Sequence, residues 1–277
     1  MKTKMLSFVI SVILLTTVSN AQVFDTIGND FNDFLKVGGD FFTSPLHFNS
    51  GDWGNFAITS AVVGGSFFLD NTTRKLSQQD HTNFKDKLFD IDKYYMTTYA
   101  AITTAGIYGI GLFTKNEDIR RVGVEIGESM VYAGVITVAL KSIIGRSRPY
   151  TERGHSDFNP FSVSNDKVSA PSGHATVAFA FSTVMAHQVD NIYWKVGWFT
   201  AAGLVASARM YHDQHWVSDV ILGAAIGYFA GRFVVNHPLN NKDVNQKSKK
   251  KNHLNYSVGL NFRENQPVYT LDFGYSF

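Results

Sequence analysis

The stretch PSGHATVAFAFSTVMAHQV, from Pro171 to Val189, is where the reading of the fold begins. Pro171-Ser172-Gly173-His174 opens a helix, and the residues that follow are apolar and alanine-rich, without the strict alternation of a half-buried strand. Stretches of the same kind, rich in Gly and Ala, recur near 95–113, 122–144, 196–208 and 217–235, and Phe56–Leu69 precedes them. Together they predict an all-α fold. A bundle of about six core helices over residues 55–236 follows, because each helix has to bury a stripe against its neighbours.

Outward from this core the chain changes character. Lys2 and Lys4 precede an uncharged apolar run from Met5 to Val18, and Ser19-Asn20-Ala21 supplies small residues ahead of Gln22. A basic start, an apolar middle and a small-residue exit make residues 1–21 a secretory signal peptide. Residues 22–54 form an aromatic-rich segment. There Phe31, Phe34, Leu35, Phe41 and Phe42 suit one or two short helices that cover the core or rest at a membrane interface. A polar stretch, Asn71 to Lys93, separates the first two core helices. After the bundle, residues 237–253 read as a polar, basic linker. Leu254, Tyr256, Val258, Leu260 and Phe262, then Tyr269, Leu271, Phe273, Tyr275 and Phe277, alternate as a β-hairpin over residues 254–277. Two strands are not stable alone, so the hairpin needs a docking partner, either these helices or another protein's sheet edge.

Charge and cysteine narrow the function. Lys and Arg number 25 against 23 Asp and Glu, and loss of Lys2 and Lys4 with residues 1–21 takes the net charge from +2 to zero. A neutral chain gives no electrostatic case for binding nucleic acid. Cysteine is absent, so no disulfide or thiolate metal site is available, which suits a bacterial envelope protein. Tyr94 to Thr114 is uncharged and long enough to cross a bilayer. The other runs are interrupted by Glu125, Glu128, Lys141, Lys195, Arg209, Asp219 or Arg232. Membrane association is the expectation, without six spans.

Three stretches carry phosphate chemistry. Lys141 and Arg148 close the third core helix and follow it, a compact charge and a planar fork for phosphoryl oxygens; alone, they equally suit a basic helix C-terminus. Pro171-Ser172-Gly173-His174 offers outward N–H groups, a hydroxyl donor and an imidazole that can supply a proton. Ser172 as an ordinary helix cap is the plainer reading of that stretch. His215 and Asp219, four apart, can share a helix face and hydrogen-bond, with Arg209 upstream; a surface His–Asp pair has the same spacing. His212, Asp213, His215 and Asp219 also crowd together as a metal set would, but lack a full ligand motif such as H-E-x-x-H.

In order and spacing, Lys141-x6-Arg148-Pro149, Pro171-Ser172-Gly173-His174 and Arg209-x5-His215-x3-Asp219 resemble the three-part signature of the type 2 phosphatidic acid phosphatase superfamily. That superfamily also holds bacterial class A acid phosphatases and vanadium haloperoxidases. The resemblance covers roughly residues 55–236. One difference is Ala208, where the family usually has Ser before the arginine; Ser207 lies one earlier. The resemblance implies that His215 attacks phosphorus, oriented by Asp219, and that His174 protonates the leaving oxygen. Lys141, Arg148, Ser172, Gly173 and Arg209 would hold the phosphoryl oxygens, with no metal and no cofactor.

The expected function is hydrolysis of a phosphomonoester or diphosphate of a lipid at the cell envelope, with the site facing the periplasm. Undecaprenyl diphosphate, phosphatidic acid, phosphatidylglycerophosphate and lipid A are the candidate substrates. The alternatives are a soluble periplasmic acid phosphatase of broad specificity, a vanadium haloperoxidase, and an envelope scaffold whose site is idle.

Overall fold

The computed structural model describes residues 2–79, 81–90, 97–162, 164–238, 253–263 and 266–276, with side chains described only between residues 22 and 238. Within the first unit, which ends at His237, the helices are α1 (Lys2–Thr43), α2 (Ser50–Phe67), α3 (Asp70–Gln78), α4 (Asn83–Phe89) and α5 (Thr97–Phe113). They continue with α6 (Glu117–Ile144), α7 (Gly173–Gln188), α8 (Ile192–Tyr211) and α9 (Val217–Asn236). Among its described residues the regular secondary structure of this unit is helical, with one isolated bridge, Arg146 to Phe158, in the long loop between α6 and α7. In the second unit, β1 (His253–Arg263) and β2 (Gln266–Ser276) pair antiparallel, with Val258 opposite Leu271. The linker read at 237–253 lies outside the described residues from 239 to 252, as do the hairpin's side chains.

Helix α7 is the centre of the bundle, packed by α6, α8 and α9. Small residues make that possible. Ala133, Ala180 and Ala230 join α6, α7 and α9, while Ala178, Ala202 and Val205 join α7 to α8. Larger side chains fill one end, where Ile126, Phe181 and Val184 meet Trp198. Gly223 and Gly227 let α9 touch α7 backbone to backbone: a Cβ there would lie 2.4 Å from the Ser172 carbonyl oxygen and 2.2 Å from that of Thr176. That contact seats the N-terminus of α9 against the start of α7.

Local signals explain the ends. Asn116 caps α6 by accepting from the Ile119 N–H, with Glu117 and Asp118 in the first turn, where the helix dipole favours acids. Gly145 stops α6 in the left-handed region at φ 58°, and the N–H of Gly145 bonds to the Lys141 carbonyl. A side chain could not stand there, since its Cβ would lie 1.8 Å from the Asn159 carbonyl oxygen. Helix α6 is 28 residues long, about 42 Å at 1.5 Å per residue. Helices α6 and α9 are long and apolar enough to cross a membrane, by length and composition.

Two features differ from the sequence reading. Phe31, Phe34, Leu35, Phe41 and Phe42 lie on one long helix, α1, instead of one or two short ones; it ends at Thr43, before the 3-10 turn that holds Pro45, and the rest of the segment leads into the start of α2. Phe34, Phe41 and Phe42 surround Tyr132 at ring distances of 5.1, 5.5 and 6.0 Å, and the Tyr132 hydroxyl donates to the Phe34 carbonyl. Phe31 and Leu35 face outward instead, more than half exposed. The polar stretch after Asn71 is no simple separator either. It folds into α3 and α4, which pack against α8.

Candidate active site

The site lies where the end of α6, the start of α7 and the turn between α8 and α9 meet. Lys141 occupies the last turn of α6, and its Nζ donates to the Val168 carbonyl. A Cβ on Gly173 would lie 3.9 Å from the Lys141 Cε, so the lysine side chain lies along the N-terminus of α7. Past Gly145 the chain is extended. Arg148 donates from Nε to the Asn165 carbonyl at 2.9 Å and from Nη1 to Gln214 Oε1 at 2.8 Å. Gln214 precedes His215, so this bond joins the first and third sequence stretches.

Ser172 is the N-cap residue of α7, yet it makes no side-chain capping bond. Its hydroxyl is fully buried and has no hydrogen-bond partner among the described residues. The capping role is therefore not what holds a serine here. A buried hydroxyl without a partner costs about 1–3 kcal/mol. His174 follows in the first turn of α7, partly exposed.

His215 is 4% exposed, and its Nδ1 lies 2.7 Å from the Ser169 carbonyl oxygen. A carbonyl can only accept, so the proton sits on Nδ1 and Nε2 carries the lone pair. Burial, then the positive charges of Lys141, Arg148 and Arg209, push the imidazole well below its usual range, opposed only by the Ser169 bond. His215 is thus a neutral base at neutral pH, with three cations close enough to act on its ring. A nucleophilic nitrogen beside a cluster of cations is suited to attack on an anionic phosphorus centre.

The direct His215–Asp219 bond read from their spacing is not made, because the two do not share a helix. His215 lies in the turn before α9, and Asp219 is in the first turn of that helix. The Asp219 carboxylate instead accepts from the Trp216 N–H at 3.0 Å, the Ser169 hydroxyl at 2.5 Å and Arg146 Nη1 at 2.6 Å. Asp219 therefore acts on His215 through Ser169, whose hydroxyl it holds and whose carbonyl orients the ring. The crowded His212 and Asp213 turn elsewhere: His212 Nε2 lies 3.3 Å from the Phe89 carbonyl oxygen, and Asp213 takes a two-pronged bond from Arg74.

Three residues of this network carried no sequence signal of their own. Ser169 is one. Arg146, two residues before Arg148, is the second, and is 2% exposed. Its guanidinium also donates to Asp70 Oδ2 at 2.6 Å, to the Ser218 hydroxyl and twice to the His155 carbonyl. It lies over the rings of Phe67, Trp216 and Phe158 at 4.9, 5.4 and 5.6 Å. Asp70, the third, is fully buried and accepts from both the N–H and the hydroxyl of Ser218.

The chain is similar to several known proteins. Over 108 residues the chain is 32% identical to the lipid A 1-phosphatase of Rhizobium etli, covering 38% of this chain and 46% of that one. It is 24% identical over 168 residues to the lipid A 1-phosphatase of Porphyromonas gingivalis, covering 60% and 34%. The match thus spans less than half the length of these curated relatives. The crystal structure of Aquifex aeolicus LpxE aligns with a TM-score of 0.48 and 20% identity over 61% of this chain and 96% of that one. Residues 123–243 match the family described as the PAP2 superfamily, a region that holds Lys141, Arg148, Ser172, His174, Arg209, His215 and Asp219. Residues 123–243, which carry all three motifs, are thus the part of this chain that is similar to the PAP2 superfamily, the type 2 phosphatidic acid phosphatases.

Proposed function

We propose that this protein is a phosphatase that hydrolyses a phosphomonoester or diphosphate group of a lipid through a phosphohistidine intermediate. The observation that carries this reading is His215 itself: neutral, with its Nδ1 proton held by the Ser169 carbonyl and its ring within the field of Lys141, Arg148 and Arg209. Nε2 of His215 attacks phosphorus and the bond to the leaving oxygen breaks, while His174 gives that oxygen a proton. Water then attacks phosphorus, His174 takes its proton, and the P–N bond breaks to release phosphate. Lys141, Arg148 and Arg209, with the Ser172 hydroxyl and the N–H of Gly173, hold the oxygens that gain charge. Asp219 is a positioning residue that works through Ser169. No metal or cofactor is assigned a role.

A lipid substrate is supported by the relatives named for lipid A 1-phosphate and by apolar side chains on the outside of the bundle. Val131, Val135 and Val138 form such a stripe on α6, each about half exposed or more. Lipid A, undecaprenyl diphosphate, phosphatidic acid and phosphatidylglycerophosphate are the substrates to test. The reading includes membrane association, export with loss of residues 1–21, a site on the periplasmic side, and a C-terminal hairpin that docks on a partner.

The test is phosphate release by the detergent-purified protein and its His215→Ala variant from those four lipids and para-nitrophenyl phosphate. Release from a lipid that is lost in His215→Ala is the expected result. Release from the soluble ester alone would move the protein to the soluble acid phosphatases. Release that persists in His215→Ala would overturn the phosphohistidine route.

A further inference from the structure

Helix α3 lies outside the family match, in the stretch whose sequence reads only as polar. Asp70, Arg74 and Gln78 are spaced by four, so they share one face of this helix. All three reach the elements that carry His215. Asp70 accepts from the Ser218 N–H at 3.0 Å and from Arg146 at 2.6 Å, on the C-terminal side of the histidine. Arg74 donates from Nε and Nη2 to both oxygens of Asp213, at 2.8 and 2.7 Å, two residues before the histidine. Gln78 Nε2 donates to the carbonyls of Met210 and Tyr211, at 3.2 and 3.1 Å, at the end of α8.

The turn gripped in this way closes on its own backbone bonds, Asp213 N–H to the Met210 carbonyl and Gln214 N–H to that of Arg209, and carries one uncommon conformation. Asp213 has a left-handed backbone, φ 53°, a conformation non-glycine residues rarely adopt. The fork of Arg74 fixes the side chain of that residue in two directions at once. Arg74 also stacks 5.7 Å from the Trp216 ring, on the other side of His215 in sequence. Helix α4 adds to the grip: the Tyr211 hydroxyl donates to Asp86, and His212 Nε2 meets the Phe89 carbonyl.

We propose that α3 is a positioning clamp for the catalytic turn, with Asp70, Arg74 and Gln78 holding residues 210–218 so that His215 is presented to phosphorus. The clamp rests on the reading of His215 as the nucleophile. It acts on alignment more than on the charge of the phosphate site: Lys141 is held from α6 and by the Val168 carbonyl, and Arg148 keeps its bond to the Asn165 carbonyl besides the one it makes to Gln214 in the turn. Removing it costs the rate of attack more than it costs phosphate affinity. Misplacement of a reacting group by about 1 Å can cost about 100-fold in rate.

The experiment compares wild type, Arg74→Met, Asp213→Asn and the double variant by steady-state kinetics, with inorganic phosphate as competitive inhibitor. Amide hydrogen exchange of residues 210–218 is measured alongside. Arg74→Met should lower kcat by about 10- to 100-fold with the inhibition constant for phosphate nearly unchanged. The double variant should lose no more than the worse single one, and exchange in the turn should speed up. Arg74→Lys, which keeps the charge but not the fork, should fall between wild type and Arg74→Met, and serves in its place if that variant does not fold. Unchanged kcat, equal losses in kcat and phosphate affinity, or wild-type exchange in the turn would overturn the clamp. Exchange reports the turn and not the chemistry. A protein inactive on every phosphate ester would therefore refute the phosphatase reading while exchange alone still decided whether α3 holds the turn.

Discussion

Replacing Arg146 with methionine should be among the most damaging changes available outside the residues proposed to bind phosphate. The Arg146 side chain is 3% exposed and sits between two carboxylates, Asp70 at 0% and Asp219 at 1%. Methionine keeps much of the packing against Phe67, Phe158 and Trp216 but strips two buried carboxylates of their shared ion-pair partner, leaving Asp219 only the more distant charges of Lys141 and Arg148. Removing one partner of a buried pair costs about 3–5 kcal/mol, mostly as the penalty of the charge left behind. Against a total of about 5–15 kcal/mol for a folded domain, that is a large fraction. The assay is equilibrium urea unfolding in detergent, followed by the fluorescence of tryptophan, one of which, Trp216, lies against the guanidinium. Asp70→Asn added to Arg146→Met should recover part of the loss, because it removes one stranded charge. A cost below about 1 kcal/mol for Arg146→Met, or additivity of the two changes within about 0.5 kcal/mol, would refute the triad as a coupled unit.

Further outcomes follow from the same geometry. Ser172→Ala should separate stability from function: it removes a buried hydroxyl that has no partner, so thermal stability should hold or rise by about 1 kcal/mol, while turnover falls. His215→Ala should abolish turnover, whereas His212→Ala, whose ring meets the Phe89 carbonyl and the Tyr211 ring, should retain most of it; equal losses would mean that the nucleophile is misassigned. His215 is held well below its ordinary pKa by burial and three cations, so the unfolded chain takes up its proton first as pH falls. Wild type should therefore lose stability relative to His215→Asn below about pH 6.5, at up to about 1.4 kcal/mol per pH unit, with no such difference above it. Gly145→Ala should cost at least about 1–2 kcal/mol for the left-handed backbone, plus the overlap with the Asn159 carbonyl, read as a lowered unfolding midpoint.

What could be read from the chain alone was chemistry carried by residue type and short spacing. Runs of Ala, Gly and large apolar residues were enough to mark α2 and α5 to α9, because an apolar stripe has only a few ways to be buried. The cations, the serine and the histidines proposed for the site could be nominated because phosphate chemistry demands those side chains, and all of them lie within the region matched to the family. Helix spacing misled at one point: His215 and Asp219 are four apart, but α9 begins between them, so the turn geometry replaced the expected bond with one through Ser169. Arg146, Asp70 and α3 were silent for a different reason. A lone arginine or a short polar helix looks solvated until the fold buries it, and the bonds that give these residues meaning join Asp70 to Ser218 and Arg74 to Asp213, more than 130 positions apart. Side-chain identity suggests a reaction in a sequence, whereas the pairing of distant polar groups in a dry interior, which holds the turn of the proposed nucleophile, exists only once the chain has closed on itself.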